Sequence, residues 1–291
     1  VNSTLKHFIT EREAIRVRKA SGQPAPWTTD PILQQYRFCN VHRRDDRVSQ
    51  WLLKHYYPHT AKGVDAWFPA LVARFINWPP TLKLLLESGV GLAAGEVWNP
   101  HAFEAVIARL KSAGEKVYTG AYMIYPGSRD GDTAVANKEQ FLARQVFAGA
   151  RANTSKIRHA IWQLSIEKTV HELTQSYGIS TFMAGQVAAD LTYLYDALDL
   201  ALDKRTYAPM GPGSIRGLNR IHGFKLTHTW QPHEFVEALM DIHRDIEREL
   251  GIMDLTLHDV QNIAACEYDK YLRVLNGEGK PRANYRPETA F

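Results

Sequence analysis

The chain has 291 residues, of which 45% are hydrophobic and 23% charged, with a formal net charge of +4. That balance supports a sizeable core and excludes a disordered or fibrous protein. A mild positive total neither demands nor forbids a nucleic-acid partner, so the local distribution of charge has to decide. Cys39 and Cys266 form no C-x-x-C pair and no disulfide framework, which points to a reduced, cytoplasmic protein. No apolar leader precedes Arg12, and the longest charge-free stretch, 173–189, holds too many polar residues for a membrane span.

Apolar spacing is helical through most of the chain. Leu5, Phe8, Ile9, Ile15 and Val17 predict a first helix ending at Gly22. Asp30-Pro31 reads as an N-cap with proline at the first helical position, opening a helix expected to reach Tyr56, and Asn99-Pro100 repeats the signal. Further helices are expected around 138–150, 154–176, 180–200, 232–250 and 256–275, the last opened by a capping box from Thr256 to Asp259. Residues 116–119 and 122–125 read as short strands or extended connections, and 128–133 and 207–217 as loops. No linker divides the chain, so a single domain over 1–291 is expected, mainly α, its N- and C-terminal thirds sharing one core.

Four segments carry candidate chemistry. Lys204–His233 holds Lys204, Arg205, Arg216, Arg220, Lys225 and three histidines but no acidic residue, and includes the glycine-rich run 211–219. Glycines there allow close backbone approach to an anion, with Arg216 and Arg220 one helical turn apart; a solvated basic connector fits equally well. In 27–47, helical spacing places Tyr36, Asn40, Arg43 and Arg47 in one polar stripe with Arg37 beside it. Such a stripe is either an ion-paired surface or the wall of a phosphate cleft whose arginines Asp45 or Asp46 orient. In 266–273, Glu267 and Lys270 share a helical face, and Asp269 and Arg273 stand at i, i+4, a pattern that ordinary helix salt bridges also produce. In 177–190, a glycine-containing turn leads into a helix of small residues ending at Asp190, similar to a helix-hairpin-helix turn. Asp190 lies in an otherwise uncharged helix, which implies burial, with either a shifted pKa or a paired partner. Metal sites look poor: Pro58 separates His55 from His59, and His171-Glu172 lacks the second histidine of H-E-x-x-H. P-loop, G-x-G-x-x-G and G-x-S-x-G motifs are missing, which argues against kinase, dehydrogenase and α/β-hydrolase chemistry.

In chain order, PAPWTTDPILQQYRFCNVHRRDDRVSQWL (24–52), GISTFMAGQVAADLTY (178–193), GPGSIRGLNRI (211–221) and CEYDKYLRVLNGEGKPRANY (266–285) resemble one family. It is the helical domain that accompanies 5-hydroxymethyluracil DNA kinases, also called the α-glutamyl/putrescinyl thymine pyrophosphorylase family, which includes phage amino-acid:DNA transferases. The resemblance covers about residues 5–286. It implies a fold related to the helix-hairpin-helix DNA glycosylases and a reaction on double-stranded DNA. In that reaction an amino acid or amine displaces pyrophosphate from 5-(pyrophosphoryloxymethyl)uracil, by substitution or by elimination and addition, with no cofactor and no metal. Partners implied are the modified duplex, a free amino acid or amine, and a 5-hydroxymethyluracil DNA kinase.

Carried over by motif, the implied site has Asp190, or else Asp46 or Glu267, as proton acceptor. Arg37, Arg43, Arg216, Arg220, Lys270 and Arg273 would hold pyrophosphate and DNA, and Trp27, Asn40, Gln186, Asn219 and Asp269 would position substrate. One departure stands out: the hairpin reads Gly-Ile-Ser, without a second glycine for close phosphate approach. Two other readings compete, a glycosylase-like enzyme releasing a modified base and a non-catalytic DNA-binding partner of the kinase.

Overall fold

A computed structural model describes residues 1–120, 137–281 and 284–285. Among these the secondary structure is helical throughout, and the only β pairing is an isolated antiparallel bridge between Tyr36 and Asn284. Of the two readings of 116–119, no strand forms and the segment is a connection; 122–125 and the loop at 128–133 fall outside the described residues. The chain separates into two compact units, Val1–Asp46 with Lys204–Ala290, and Arg47–Asp203, where the sequence suggests one domain.

In the first unit the N-terminal and C-terminal segments share a core. The Ser3–Ala20 helix is capped by Asn2, whose side chain accepts from Leu5 N at 2.9 Å, and the chain turns at Gly22 with φ +75°. Its i, i+3, i+4 stripe of Leu5, Phe8 and Ile9 is fully buried against Phe235, Leu239 and Ile246 of the Pro232–Leu250 helix and Ile263. Each such side chain contributes about 1.5–3 kcal/mol of burial. Phe8 also meets the rings of Phe38 at 5.6 Å and Tyr271 at 5.0 Å. Asp30 caps the short Pro31–Gln35 helix by accepting from Ile32 N at 2.8 Å and Leu33 N at 3.1 Å. It also accepts from Tyr271 Oη at 2.7 Å. Burial opposes ionisation of this carboxyl, yet these hydrogen bonds hold it below the usual carboxylate range.

The helix expected from Asp30 to Tyr56 is interrupted. It stops at Gln35, the chain runs extended past Tyr36, and a 3₁₀ turn at Arg43–Asp45 precedes the Arg47–Trp51 helix of the second unit. The helix expected over 256–275 is continuous but changes winding. Leu257–Val260 is α-helical, Gln261–Glu267 is a π turn, and Tyr268–Leu275 is α-helical again. π turns are rare and re-aim the side chains they carry, here including Glu267 at the end of the turn.

The second unit packs the Trp67–Ile76, Pro79–Glu87, Pro100–Ser112, Thr154–Trp162, Ile166–Thr174 and Thr181–Leu191 helices. Its centre is an aromatic cluster in which Phe68, Phe75, Trp98 and Phe103 approach each other or Phe147 at 5.3–5.7 Å between centroids. The indole N–H of Trp98 donates to Ala143 O at 2.9 Å, so the buried ring leaves no donor unpaired. Two expected helices are shorter here: 154–176 breaks at Gln163–Ser165, where Leu164 adopts φ +53°, and 180–200 ends at Leu191.

Candidate functional site

The run 211–219 is not a loop that presents amides to an anion. It is the first part of the Pro212–Ile221 helix, with Pro212 at the first position and Gly211 N donating to Ser214 Oγ at 3.2 Å. Its glycines serve helix packing. A Cβ at Gly217 would lie 2.2 Å from Ala265 O, and one at Gly213 would lie 3.6 Å from the Cys266 sulfur. The helix therefore seats its backbone directly on the π turn. Gly217→Ala is expected to cost about 1–3 kcal/mol by overpacking, read as a lower urea midpoint with an unchanged slope. A wild-type midpoint would show that the crossing is loose.

Close seating brings Arg216 and Arg220 onto Asp269. The Arg220 Nε donates to Asp269 Oδ1 at 2.8 Å, and Arg216 Nη2 and Nε approach Oδ2 at 3.2 and 3.3 Å. Arg273 Nε lies 3.5 Å from the same oxygen, buried and without a hydrogen bond. Glu278 pairs with Arg220 from the far side. Three guanidinium groups thus face two carboxylates, leaving one positive charge uncompensated. The Asp269 side chain is 2% exposed whereas those of Arg216 and Arg273 are 41% and 40% exposed, so a buried acid orients two cations toward solvent. Exposed guanidinium groups held in this way can accept an anion.

A second cluster forms where the chain leaves the Tyr36 bridge. Cys39 N donates to Glu267 Oε2 at 3.0 Å, and Lys270 Nζ donates to the same oxygen at 2.8 Å while lying 4.4 Å from the Phe38 ring centroid. Asn40 N donates to Asp46 Oδ1 at 2.8 Å, and Asn40 Nδ2 to Asp45 O at 2.7 Å. The polar stripe expected on a helix over Tyr36, Asn40, Arg43 and Arg47 is thereby replaced by a folded-back loop. Asn and Asp side chains that bond nearby backbone compete with helical hydrogen bonding, and here they win. Arg43 turns away from Asn40: its backbone N–H donates to Asp259 Oδ1 at 2.9 Å, and its Nη1 lies 3.3 Å from His258 Nε2.

Arg12, absent from the sequence-derived site, threads this loop. Its Nε donates to Cys39 O at 3.0 Å and its Nη2 to Asn40 Oδ1 at 2.8 Å. The signal for it was present, since an arginine sits on the buried stripe between Ile9 and Ile15 of the first helix. Burial raises the Asp46 carboxyl above the usual range, and the negative Glu267 adds to this against the pull of Asn40 N, Arg43 and Arg12. The result is a half-buried carboxyl of enhanced basicity. Burial also pushes the Cys266 thiol up to about 12 and the Cys39 thiol higher still, so neither is a thiolate nucleophile near neutral pH.

The remaining sequence-predicted residues are distributed as follows. Arg37 is exposed; Trp27 is half-buried, its indole N–H donating to Gln23 O at 2.6 Å with Lys19 Nζ 5.0 Å from the ring centroid. Asn219 is fully buried, and its amide is engaged within its own unit. Gln186 and Asp190 belong to the other unit and are both buried. Asp190 accepts from Arg74 Nε at 2.6 Å and from Tyr57 Oη at 2.5 Å on one oxygen, and from Arg74 Nη2 on the other. Arg74 Nη2 continues to Ser49 Oγ at 3.0 Å. Burial, reinforced by the Asp190 charge, raises the Tyr57 phenol well above its ordinary value, so it stays a donor. With both oxygens bound, Asp190 is held as half of an ion pair. Its turn residue Gly178, at φ +80°, packs where a Cβ would meet Val146 at 2.8 Å, so this glycine too is explained by packing.

Residues 1–280 match the family model described as "5-hmdU DNA kinase, helical domain", and the chain belongs to that family. A curated relative, a 5-hmdU DNA kinase of Bacillus phage SP10, is 26% identical over 229 residues, 73% of this chain. Those residues span 35% of the relative, so the chain corresponds to about a third of that kinase's length. No solved structure matches. Among the described residues no helix is long and apolar enough to cross a membrane, and no group of acids, histidines and cysteines is arranged to hold a metal ion.

Proposed function

We propose that this chain acts in thymine hypermodification of phage DNA, as a transferase that replaces pyrophosphate on 5-(pyrophosphoryloxymethyl)uracil with an amino acid or amine. The observation that carries the reading is the Arg216–Arg220–Arg273 cluster held on the buried Asp269, with a basic carboxyl, Asp46, in the same unit. Family membership and the DNA-kinase relative support modified DNA as the substrate class. The target 5-substituent lies in the major groove or is reached by flipping the base out.

In the proposed step the amine nitrogen attacks the exocyclic methylene carbon, a C–N bond forms, and the C–O bond to pyrophosphate breaks. Arg216 and Arg273 neutralise the charge that develops on the departing pyrophosphate, the largest electrostatic demand of the step. The proton lost by the nitrogen passes to Asp46, whose raised pKa makes it the stronger base. Glu267 already accepts from Cys39 N and Lys270, and fits a positioning role in this scheme. Asp190, the first choice from sequence, is replaced here by Asp46 because both of its oxygens are occupied.

The test is incubation of DNA carrying pyrophosphorylated 5-hydroxymethyluracil with a panel of amino acids and polyamines, followed by nucleoside mass spectrometry. The expected result is a new aminated nucleoside with stoichiometric pyrophosphate release. No new nucleoside with any amine would overturn the transferase reading. Stimulation of a 5-hydroxymethyluracil DNA kinase without any such product would instead establish a non-catalytic partner, a reading favoured by the correspondence to about a third of the kinase relative.

A further inference from the structure

Arg12 is the one charged residue on the buried stripe of the first helix, and it is 8% exposed. A guanidinium there is costly unless its charge is used. Burial holds it below its ordinary pKa, with the Asp46 charge the strongest pull the other way. Yet the oxygens that accept from Arg12 belong to neutral groups. Cys39 O lies 3.0 Å from its Nε, and Asn40 Oδ1 and Phe38 O lie 2.8 and 3.5 Å from its Nη2.

Two of these oxygens sit on peptide units whose N–H groups point at the candidate acids. Cys39 O and Asn40 N share one unit, and Asn40 N donates to Asp46 Oδ1 at 2.8 Å. Phe38 O and Cys39 N share the unit before it, and Cys39 N donates to Glu267 Oε2 at 3.0 Å. A peptide unit is planar, so fixing its oxygen fixes the direction of its N–H. A charged donor on the carbonyl also polarises the amide and strengthens the bond that its N–H makes. The longer approach to Phe38 O makes the Asp46 branch the stronger one. Asn40 braces that branch, with Oδ1 held by Arg12 and Nδ2 donating to Asp45 O at 2.7 Å. Of the other charges nearby, Arg43 favours ionised Asp46 and Glu267 opposes it, while Asp45 faces Arg16 at 3.4 Å and Lys270 bonds Glu267.

We propose that Arg12 is a positioning residue, which aims the Asp46 carboxylate through the Cys39–Asn40 peptide and steadies Glu267 through the Phe38–Cys39 peptide. This rests on the reading of Asp46 as proton acceptor, and it adds what orients that acceptor. The experiment follows the carboxyl itself, by NMR of the full chain labelled with carbon-13 aspartate, the Asp46 signal being the one lost in Asp46→Asn. In Arg12→Gln the amide nitrogen takes the place of Nε and keeps a donor for Cys39 O without the charge. The Asp46 midpoint should then rise by about half a pH unit or more. Arg12→Lys, which keeps the charge, should hold it near wild type.

An unmoved midpoint in Arg12→Gln, or an equal rise in Arg12→Lys, overturns the proposal. One readout needs no variant: in wild type the Arg12 Nε–H resonance should shift at the Asp46 midpoint, and indifference to it overturns the relay. In the nucleoside assay Arg12→Gln should lose about tenfold or more in kcat with KM for DNA unchanged. Its acid limb should move up in pH with the carboxyl, which mere loss of folded protein does not cause; a limb left in place overturns the proposal. A chain that aminates no DNA overturns the transferase reading alone, because the titration reads Arg12 without it.

Discussion

Asp190→Ala is expected to destabilise the Arg47–Asp203 unit by about 3–5 kcal/mol, because it leaves a buried guanidinium without its counter-charge. The side chains of Arg74 and Asp190 are 3% and 1% exposed. Removing the carboxylate also strips Tyr57 Oη of its acceptor. The double variant Asp190→Leu with Arg74→Met should recover much of the loss, since an apolar pair of similar volume avoids the desolvation cost of both ions. Urea unfolding followed through the tryptophans of this unit reads both variants. A wild-type midpoint in Asp190→Ala together with abolished turnover would return Asp190 to catalysis and sink the structural assignment.

Asp190 also shows how far local sequence reading reaches. A lone acid in an uncharged helix announced burial, and burial is what the helix delivers. Its partner announced itself in the same way, as the one charge in WFPALVARFI, but 116 residues separate Arg74 from Asp190 and no local spacing rule joins them. Neither that helix nor the Pro79–Glu87 helix is among those the spacing predicts. All ten residues of Trp67–Ile76 are buried, so no amphipathic period exists to detect. Pro69, Pro79 and Pro80 lie in the first turns of these helices, where proline is tolerated.

Cap signals, by contrast, are local chemistry and translated directly: Asp30-Pro31, Asn99-Pro100 and Thr256 with Asp259 each open a helix where expected. The Tyr36–Arg47 stripe failed for the complementary reason. Helical spacing does not hold where Asn40 and Asp46 offer the backbone a better-bonded alternative. The glycine-rich segment does provide close backbone approach, but what approaches is Ala265 of the same unit.

Asp46→Asn should separate catalysis from stability in opposite directions. An unfolded aspartate titrates near ~3.9, and burial holds the Asp46 carboxyl higher than that in the folded chain. Folding therefore favours the protonated form, and the contribution of this group to stability is present below the unfolded pKa and declines as pH rises through the folded one. Above the folded pKa the ionised carboxylate is a burden, so there asparagine, whose carbonyl still accepts from Asn40 N, should leave the urea midpoint unchanged or raise it. Turnover has the reverse requirement, because a proton acceptor must be ionised. The rate should fall on the acid side through a pKa above the ordinary carboxylate range, and Asp46→Asn should lose about 10²–10⁴-fold in kcat along with that acid limb. DNA affinity should persist, since the exposed arginines on Asp269 are untouched. A variant that turns over like wild type, or that keeps the acid limb, would move the proton acceptor elsewhere in the unit, with Glu267 next in line.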